Sequence, residues 1–205
     1  MDERILLDEA RKGNLESFNC LVLAYQNQAF SLAYRILGEV EAAADAAQQA
    51  FISAFRHLGD LRGESFRSWL LRIVANACMD ELRRRKRRPS VSLEELSGDE
   101  EGGNREETLR VLADPAEGPE AAAIRADLRA GLEECLSRLT PDARATILLA
   151  DVHALDYADV ARALRIALGT VKSRIARARA DLRECLQAKG EHPFRARRQK
   201  EEARA

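Results

Sequence analysis

The sequence predicts an all-α protein built from two small helical domains joined by a flexible acidic linker. Three observations lead there. The 205 residues are rich in Ala, Leu, Arg and Glu and hold only 11 Gly and 5 Pro, a composition that favours helix. Apolar residues recur at spacings of three and four on both sides of residues 89–124. That stretch itself carries ten acidic residues, two basic residues, three Pro and four Gly, with sparse apolar residues that could not bury a core. The expected boundaries are therefore 1–88, a linker over 89–124, a second domain over 125–186, and a charged tail over 187–205 without a core face.

In the first half, Phe18, Leu21, Val22 and Tyr25 share a helical face, and Phe30, Ala33, Tyr34 and Leu37 repeat the pattern until Gly38 stops it. Ala47, Phe51, Ala54, Phe55 and Leu58 mark a further helix that ends near Gly59. A short polar loop, Asp60 to Glu64, follows, with Ser65 placed as an N-cap. Phe66, Trp69, Leu70, Ile73 and Ala77 then run toward an unbroken basic stretch, Arg83 to Arg88, ended by Pro89. In the second half, Ile124, Leu128, Leu132 and Leu136 lie four apart. Thr140 and Pro141 fit the N-cap and first position of the next helix, which continues through Ala145, Leu148 and Leu149. Two short helices, about 156–164 and 169–184, close the unit.

Net charge is −1, but its distribution is uneven: the acidic stretch sums to −8, so the remainder is basic by about +7. Cys20, Cys78, Cys135 and Cys185 are far apart, with no CxxC pair, and His57, His153 and His192 are scattered. Reduced thiols are expected, with neither a zinc site nor a disulfide framework. No signal peptide or long apolar run is present, which points to a cytoplasmic protein without membrane insertion. No Gly-rich phosphate loop, metal-binding HExxH or nucleophile elbow occurs, so no catalytic residue, metal or cofactor is expected.

Helix, short turn, helix near the C-terminus is the arrangement that lays its second helix in a major groove. On the second helix Val171, Ile175, Ala178 and Leu182 form one apolar stripe, which must pack inward. Ser173, Ala176 and Arg177 lie opposite, flanked by Thr170 and Lys172, with Arg174, Arg179 and Arg183 nearby. Arg can bond a guanine edge bidentately, Ser can donate or accept, and Ala can touch a thymine methyl. A basic solvated face is the bland alternative.

Here the chain resembles a family. Tyr157-x-x-Val160-Ala161 followed by Gly169-Thr170-Val171-Lys172-Ser173-Arg174-Ile175-x-Arg177-Ala178-Arg179-x-x-Leu182 is similar to region 4 of extracytoplasmic-function sigma factors, of the sigma-70 family. Asp45-Ala46-Ala47-Gln48-Gln49-Ala50-Phe51 resembles their region 2.2. Arg62-Gly63-x-Ser65-Phe66-x-Ser68-Trp69-Leu70-x-Arg72-Ile73-x-x-Asn76, continued by Asp80-x-x-Arg83-Arg84, resembles regions 2.3 and 2.4. The resemblance spans about 6–88 and 125–186. It implies a subunit that binds core RNA polymerase, through the β′ clamp and β subunits, and directs promoter-specific initiation on promoter DNA. Polymerase docking falls to Asp45, Gln48, Gln49 and Phe51. Capture of the −10 element falls to Leu61, Arg62, Trp69, Arg72, Asn76, Arg83 and Arg84, with Leu61 as an apolar wall for an unstacked base. Trp69 also shares the apolar stripe of Phe66 and Ile73, so a core role competes with this one. The −35 element falls to Thr170, Lys172, Ser173, Ala176, Arg177 and Arg179. The family admits an anti-sigma factor as a partner, to which no residue of this chain points by itself.

The chain departs from the pattern at Gln49, where Glu is usual, and at Arg165 and Ala167, where Gly and Pro are usual. At Arg165 a positive φ would carry mild strain that Gly avoids. Ala176 lacks the usual larger side chain, and the loop before Ser65 is one residue short. The acidic linker residues Glu94, Glu95, Asp99, Glu100 and Glu101 suit a place-holder for nucleic acid in a basic polymerase channel, or else a charged tether. A helix-turn-helix activator acting without polymerase docking is the alternative function. It would normally carry a separate sensor domain, of which no alternating strand and helix pattern gives a sign.

Overall fold

The computed structural model describes residues 2–63, 65–87 and 119–189. The acidic stretch through 118, with its five proposed place-holder residues, lies outside the described residues, as do Arg88 and the tail beyond Lys189. Among the described residues there is no strand.

Helix α1 (Glu3–Arg11) was not evident in the sequence pattern; Asp2 caps it by accepting from the Arg4 N–H at 2.9 Å. Helix α2 (Leu15–Leu37) joins both early apolar runs into one rod, capped at its start by Asn14. It stops at Gly38, whose φ of 81° is a left-handed value that L side chains resist and whose N–H bonds the Tyr34 carbonyl at 2.8 Å. Helix α3 (Val40–Arg56) leads into a 3-10 turn (Leu58–Asp60). Helix α4 (Phe66–Arg87) carries the basic run. Ser65 caps it as expected, its hydroxyl oxygen accepting from the Ser68 N–H at 3.2 Å.

Helix α5 (Pro119–Arg138) begins inside the stretch expected to be linker. Thr140 caps α6 (Pro141–Ile147), with Pro141 at the first position, and the chain continues into a π turn (Leu148–Val152). Helix α7 (Tyr157–Leu164) and helix α8 (Leu168–Ala188) form the C-terminal pair. Helix α8 runs on into the stretch expected to be tail because Lys189 reaches Glu134 at 2.5 Å and because Cys135 of α5 is bonded to Cys185 of α8. This disulfide corrects the expectation of four reduced thiols; Cys20 and Cys78 are free.

In the first half α2 packs on α1, α3 and α4, and Leu21, Leu32, Ile36, Phe66, Leu70, Leu71 and Val74 are fully buried. In the second half Leu148, Leu149, Val160, Val171 and Ile175 fill the space among α6, the π turn, α7 and α8. The two halves touch. Helix α4 packs on α7 and α2 on α6, so the apolar cores form one cluster. Polar contacts cross the seam as well: Arg35 pairs with Glu133 at 2.8 Å, with both side chains only 15% exposed. Arg67 donates to the His153 carbonyl at 2.8 Å. The Arg144 guanidinium gathers carbonyls from the ends of two helices, Leu136 (2.8 Å), Ser137 (2.5 Å) and Leu139 (3.1 Å) on one side, Arg35 and Ile36 (both 3.4 Å) on the other.

Candidate nucleic-acid interface

The C-terminal pair is shaped by three local devices. Asp156 starts α7 by accepting from the Asp159 N–H at 2.7 Å. Arg165 ends it in the left-handed conformation, φ 55° and ψ 46°, the strained value foreseen for a residue standing in place of Gly. Helix α8 then buries Val171, Ile175 and Ala178, with Leu182 partly buried against the same cluster. The opposite face therefore turns outward by geometry alone: Lys172, Ser173, Ala176 and Arg177 are exposed and Thr170 is half-buried. The Ser173 hydroxyl donates to the Thr170 carbonyl at 3.0 Å, leaving its oxygen lone pairs as the outward function.

The cations of α8 are sorted by their neighbours. Arg174 faces Asp142 at 3.5 Å. Arg179 makes a two-pronged pair with Asp151 of the π turn, 2.8 Å from Nε and 2.7 Å from Nη2, and the carboxylate beside it raises the guanidinium pKa. Arg179, expected at the −35 element, is thus turned toward protein. Among the described residues Lys172, Arg177 and Arg183 make no ion pair.

A second strip lies on α4. Arg72, Asn76 and Arg83 fall within about 40° of one another on the helix wheel and span about 16 Å of its axis; Arg72 and Asn76 are half-buried and Arg83 is exposed. Arg83 pairs with Asp80 and Arg84 with Glu81, both at 2.7 Å. Such exposed pairs are weak and readily exchanged for phosphate. Arg62 is exposed at the loop that precedes the strip, and Arg11 ties that loop down by donating to the Leu61 carbonyl at 2.8 Å. One expectation is corrected here, that of Leu61 as an apolar wall, and for Trp69 the competing core role is the one the fold takes. Leu61 and Trp69 are each 4% exposed, packed into the core, with the Trp69 and Phe66 ring centroids 6.0 Å apart. In this structure neither offers a surface to a base.

A third surface lies between α2 and α3. Asp45, Gln48 and Gln49 are exposed on α3. Beside them runs an apolar groove of about 720 Å³, lined by Phe18, Val22, Phe30, Gln48, Phe51 and Phe55 among others. Leu15 is 60% exposed on its rim, with Ile52 and Phe55 at 37% and 36%. Sequence reasoning placed Gln48 and Phe51 here but missed Leu15, Ile52 and Phe55, whose apolar periodicity reads the same whether the face is covered or open.

Among the described residues no three His, Cys, Asp or Glu side chains come together to hold a metal ion, and no helix is long and apolar enough to cross a membrane.

Comparison with known proteins gives the family. The model of sigma-70 region 2 matches residues 21–88, and that of sigma-70 region 4 matches residues 129–182. The RNA polymerase sigma-H factor of Pseudomonas aeruginosa is 35% identical over 183 residues, covering 89% of this chain and 92% of that protein. The extracytoplasmic-function (ECF) RNA polymerase sigma-E factor of Escherichia coli strain K12 is 34% identical over 185 residues, covering 87% and 91%. Two solved structures share the fold: CnrH in complex with the cytosolic domain of CnrY, with a TM-score of 0.58, 27% identity and coverage of 91% and 97%, and the sigma factor RpoE in complex with the anti-sigma factor NepR from Bartonella quintana, with a TM-score of 0.61, 22% identity and coverage of 84% and 98%.

Proposed function

The chain belongs to the extracytoplasmic-function group of the sigma-70 family, and we propose from that premise how its surfaces share the work of a sigma factor. A sigma factor is a non-enzymatic initiation factor, so each surface is a binding surface. It binds core RNA polymerase and directs it to promoters.

The observation that carries our reading is the outward face of α8. Its apolar stripe is locked inward, so Lys172, Ser173, Ala176 and Arg177 are presented on a rigid helix of the right width for a major groove. We assign this face to the −35 element as duplex. The α4 strip of Arg72, Asn76 and Arg83, with Arg84 on the neighbouring face and Arg62 at its head, suits the −10 element, where phosphates need cations and a displaced base needs an edge contact. The groove between α2 and α3, lined in part by Gln48 and the buried Phe51, together with Asp45 and Gln49 exposed on α3, supplies the polymerase dock. Exposed apolar area of this kind marks a partner surface, and the β′ clamp is the partner we assign to it, with β contacting the second half. An anti-sigma factor is a further partner, since both solved relatives hold a protein of another kind. The place of action is the cytoplasm, where polymerase and chromosome are.

Transcription in vitro with core polymerase tests this assignment. Arg177→Ala should weaken use of promoters by about 1–3 kcal/mol and relax preference at one −35 position if it reads a base edge. Asp45→Ala with Gln48→Ala should weaken core binding with the fold intact, since exposed substitutions cost under about 0.5 kcal/mol of stability. Unaltered −35 preference, or unaltered core affinity, would remove the corresponding surface from the reading.

A further inference from the structure

Helix α8 carries Lys172, Arg174, Arg177, Arg179 and Arg183. At 100° per residue Arg179 points within about 20° of Lys172 and about 40° of Arg183, and about 160° from Arg177, so sequence geometry puts it with those two cations on the flank of the DNA-facing surface, the side toward a bordering phosphate strand and not toward base edges. The fold intervenes. Asp151, supplied by the π turn that follows α6, takes the Arg179 guanidinium with both carboxylate oxygens, at 2.7 and 2.8 Å. The pair sits at the surface, with Arg179 50% and Asp151 33% exposed. A planar guanidinium matched on two prongs is held in direction as well as by charge.

We propose that Asp151 limits the sequence-independent grip of α8 on DNA by holding Arg179 away from the phosphate backbone. The proposal rests on the reading that α8 enters duplex DNA. Phosphate contacts from Arg and Lys supply affinity without sequence information, whereas base-edge contacts discriminate. Withdrawing one cation from the backbone therefore leaves Ser173, Ala176 and Arg177 with a larger share of the binding. Asp151 acts through Arg179 and is a positioning residue; it touches no base itself.

The test is the salt dependence of DNA binding by the full chain assembled with core RNA polymerase, on a promoter fragment and on a fragment without a promoter. Each phosphate contact adds about 0.9 to the slope of log affinity against log salt, which is about a threefold further loss between 0.05 and 0.2 M salt. Asp151→Asn, which keeps shape and removes charge, should steepen that slope by about one on both fragments and tighten binding at low salt. Arg179→Ala alone should leave the slope unchanged, and the double variant should return to the original slope. A purely structural role for the pair would move the melting temperature and not the slope. If Arg179→Ala alone flattens the slope by about one, Arg179 already holds a phosphate and the proposal is overturned. An unchanged slope in Asp151→Asn overturns it equally. Lys172→Ala and Arg177→Ala separate the two levels: if neither alters affinity or slope, α8 does not meet DNA and the proposal falls with the reading beneath it.

Discussion

Arg165 shows how much a single backbone angle can be anticipated. The turn between α7 and α8 demands a left-handed residue, and Arg adopts it at φ 55° against its own steric preference. A left-handed L residue costs about 1–2 kcal/mol, and Gly gives back part of that through its freer unfolded chain. Arg165→Gly is expected to stabilise the protein by up to about 1 kcal/mol, read as a rise in melting temperature. His153 makes the opposite kind of point. Burial, and then the charges of Arg67 and Arg35, push its pKa down to about 4, and its Nε2 has no hydrogen-bond partner among the described residues. The unfolded chain takes up a proton near pH 6.5 and the folded chain does not, so stability falls as pH drops from about 6.5 toward 4. The loss from this group by pH 5 is about 2 kcal/mol. His153→Leu should flatten the melting temperature between pH 7 and 5; a wild-type slope in that variant would show that other groups carry it. Caps and turn strain were legible because they depend on a few neighbouring residues. The burial of Trp69 was half-legible in the apolar stripe it shares with Phe66, whereas that of Leu61 depends on what the loop packs against, which no local spacing reveals.

At the scale of elements the helix faces were read well and their partners less so. The inward stripe of α8 and the cap of α6 follow from period and local chemistry. The bond between Cys135 and Cys185 does not, because residues 50 apart in the chain meet only when α5 and α8 lie side by side. The same holds for Asp142 and Asp151, acids of ordinary appearance until the fold sets them against Arg174 and Arg179. Cross-linking a loop of that length restricts the unfolded chain by about 4 kcal/mol in the entropic account. A reducing agent is therefore expected to lower the melting temperature of the wild-type protein and to leave Cys135→Ser with Cys185→Ser unmoved. Equal melting with and without reductant in the wild type would show the bond contributes no stability.

The whole molecule adds a relation that neither half contains. Composition separated two helical units, yet the described residues close on one another through Arg35, Glu133, Arg67 and Arg144. None of these four stood out in the sequence, because a charged residue on a helix face looks alike whether it meets water or a second domain. The Arg144 guanidinium is solvated by carbonyl oxygens, and its burial lowers its pKa against the opposing pull of the Glu133 charge. Breaking one member of a largely buried pair costs about 3 kcal/mol or more. Glu133→Gln is expected to loosen the seam, increasing the radius of gyration in solution scattering at unchanged helix content. Arg35→Ala should do the same without touching the cap that Arg144 places on α5. Identical scattering from both variants would show that the apolar contact of α4 with α7 suffices to hold the halves together.

The Cys135–Cys185 bond also has a mechanical meaning. It closes a covalent ring around α6, the π turn, α7 and most of α8. A pull applied to the two ends of the chain passes from α5 to the last turn of α8 through the sulfur atoms and bypasses everything between. Helix α8 can therefore keep its fold under a tension that extends the rest of the molecule. A single backbone cut within the ring would leave both fragments travelling as one until the bond is reduced.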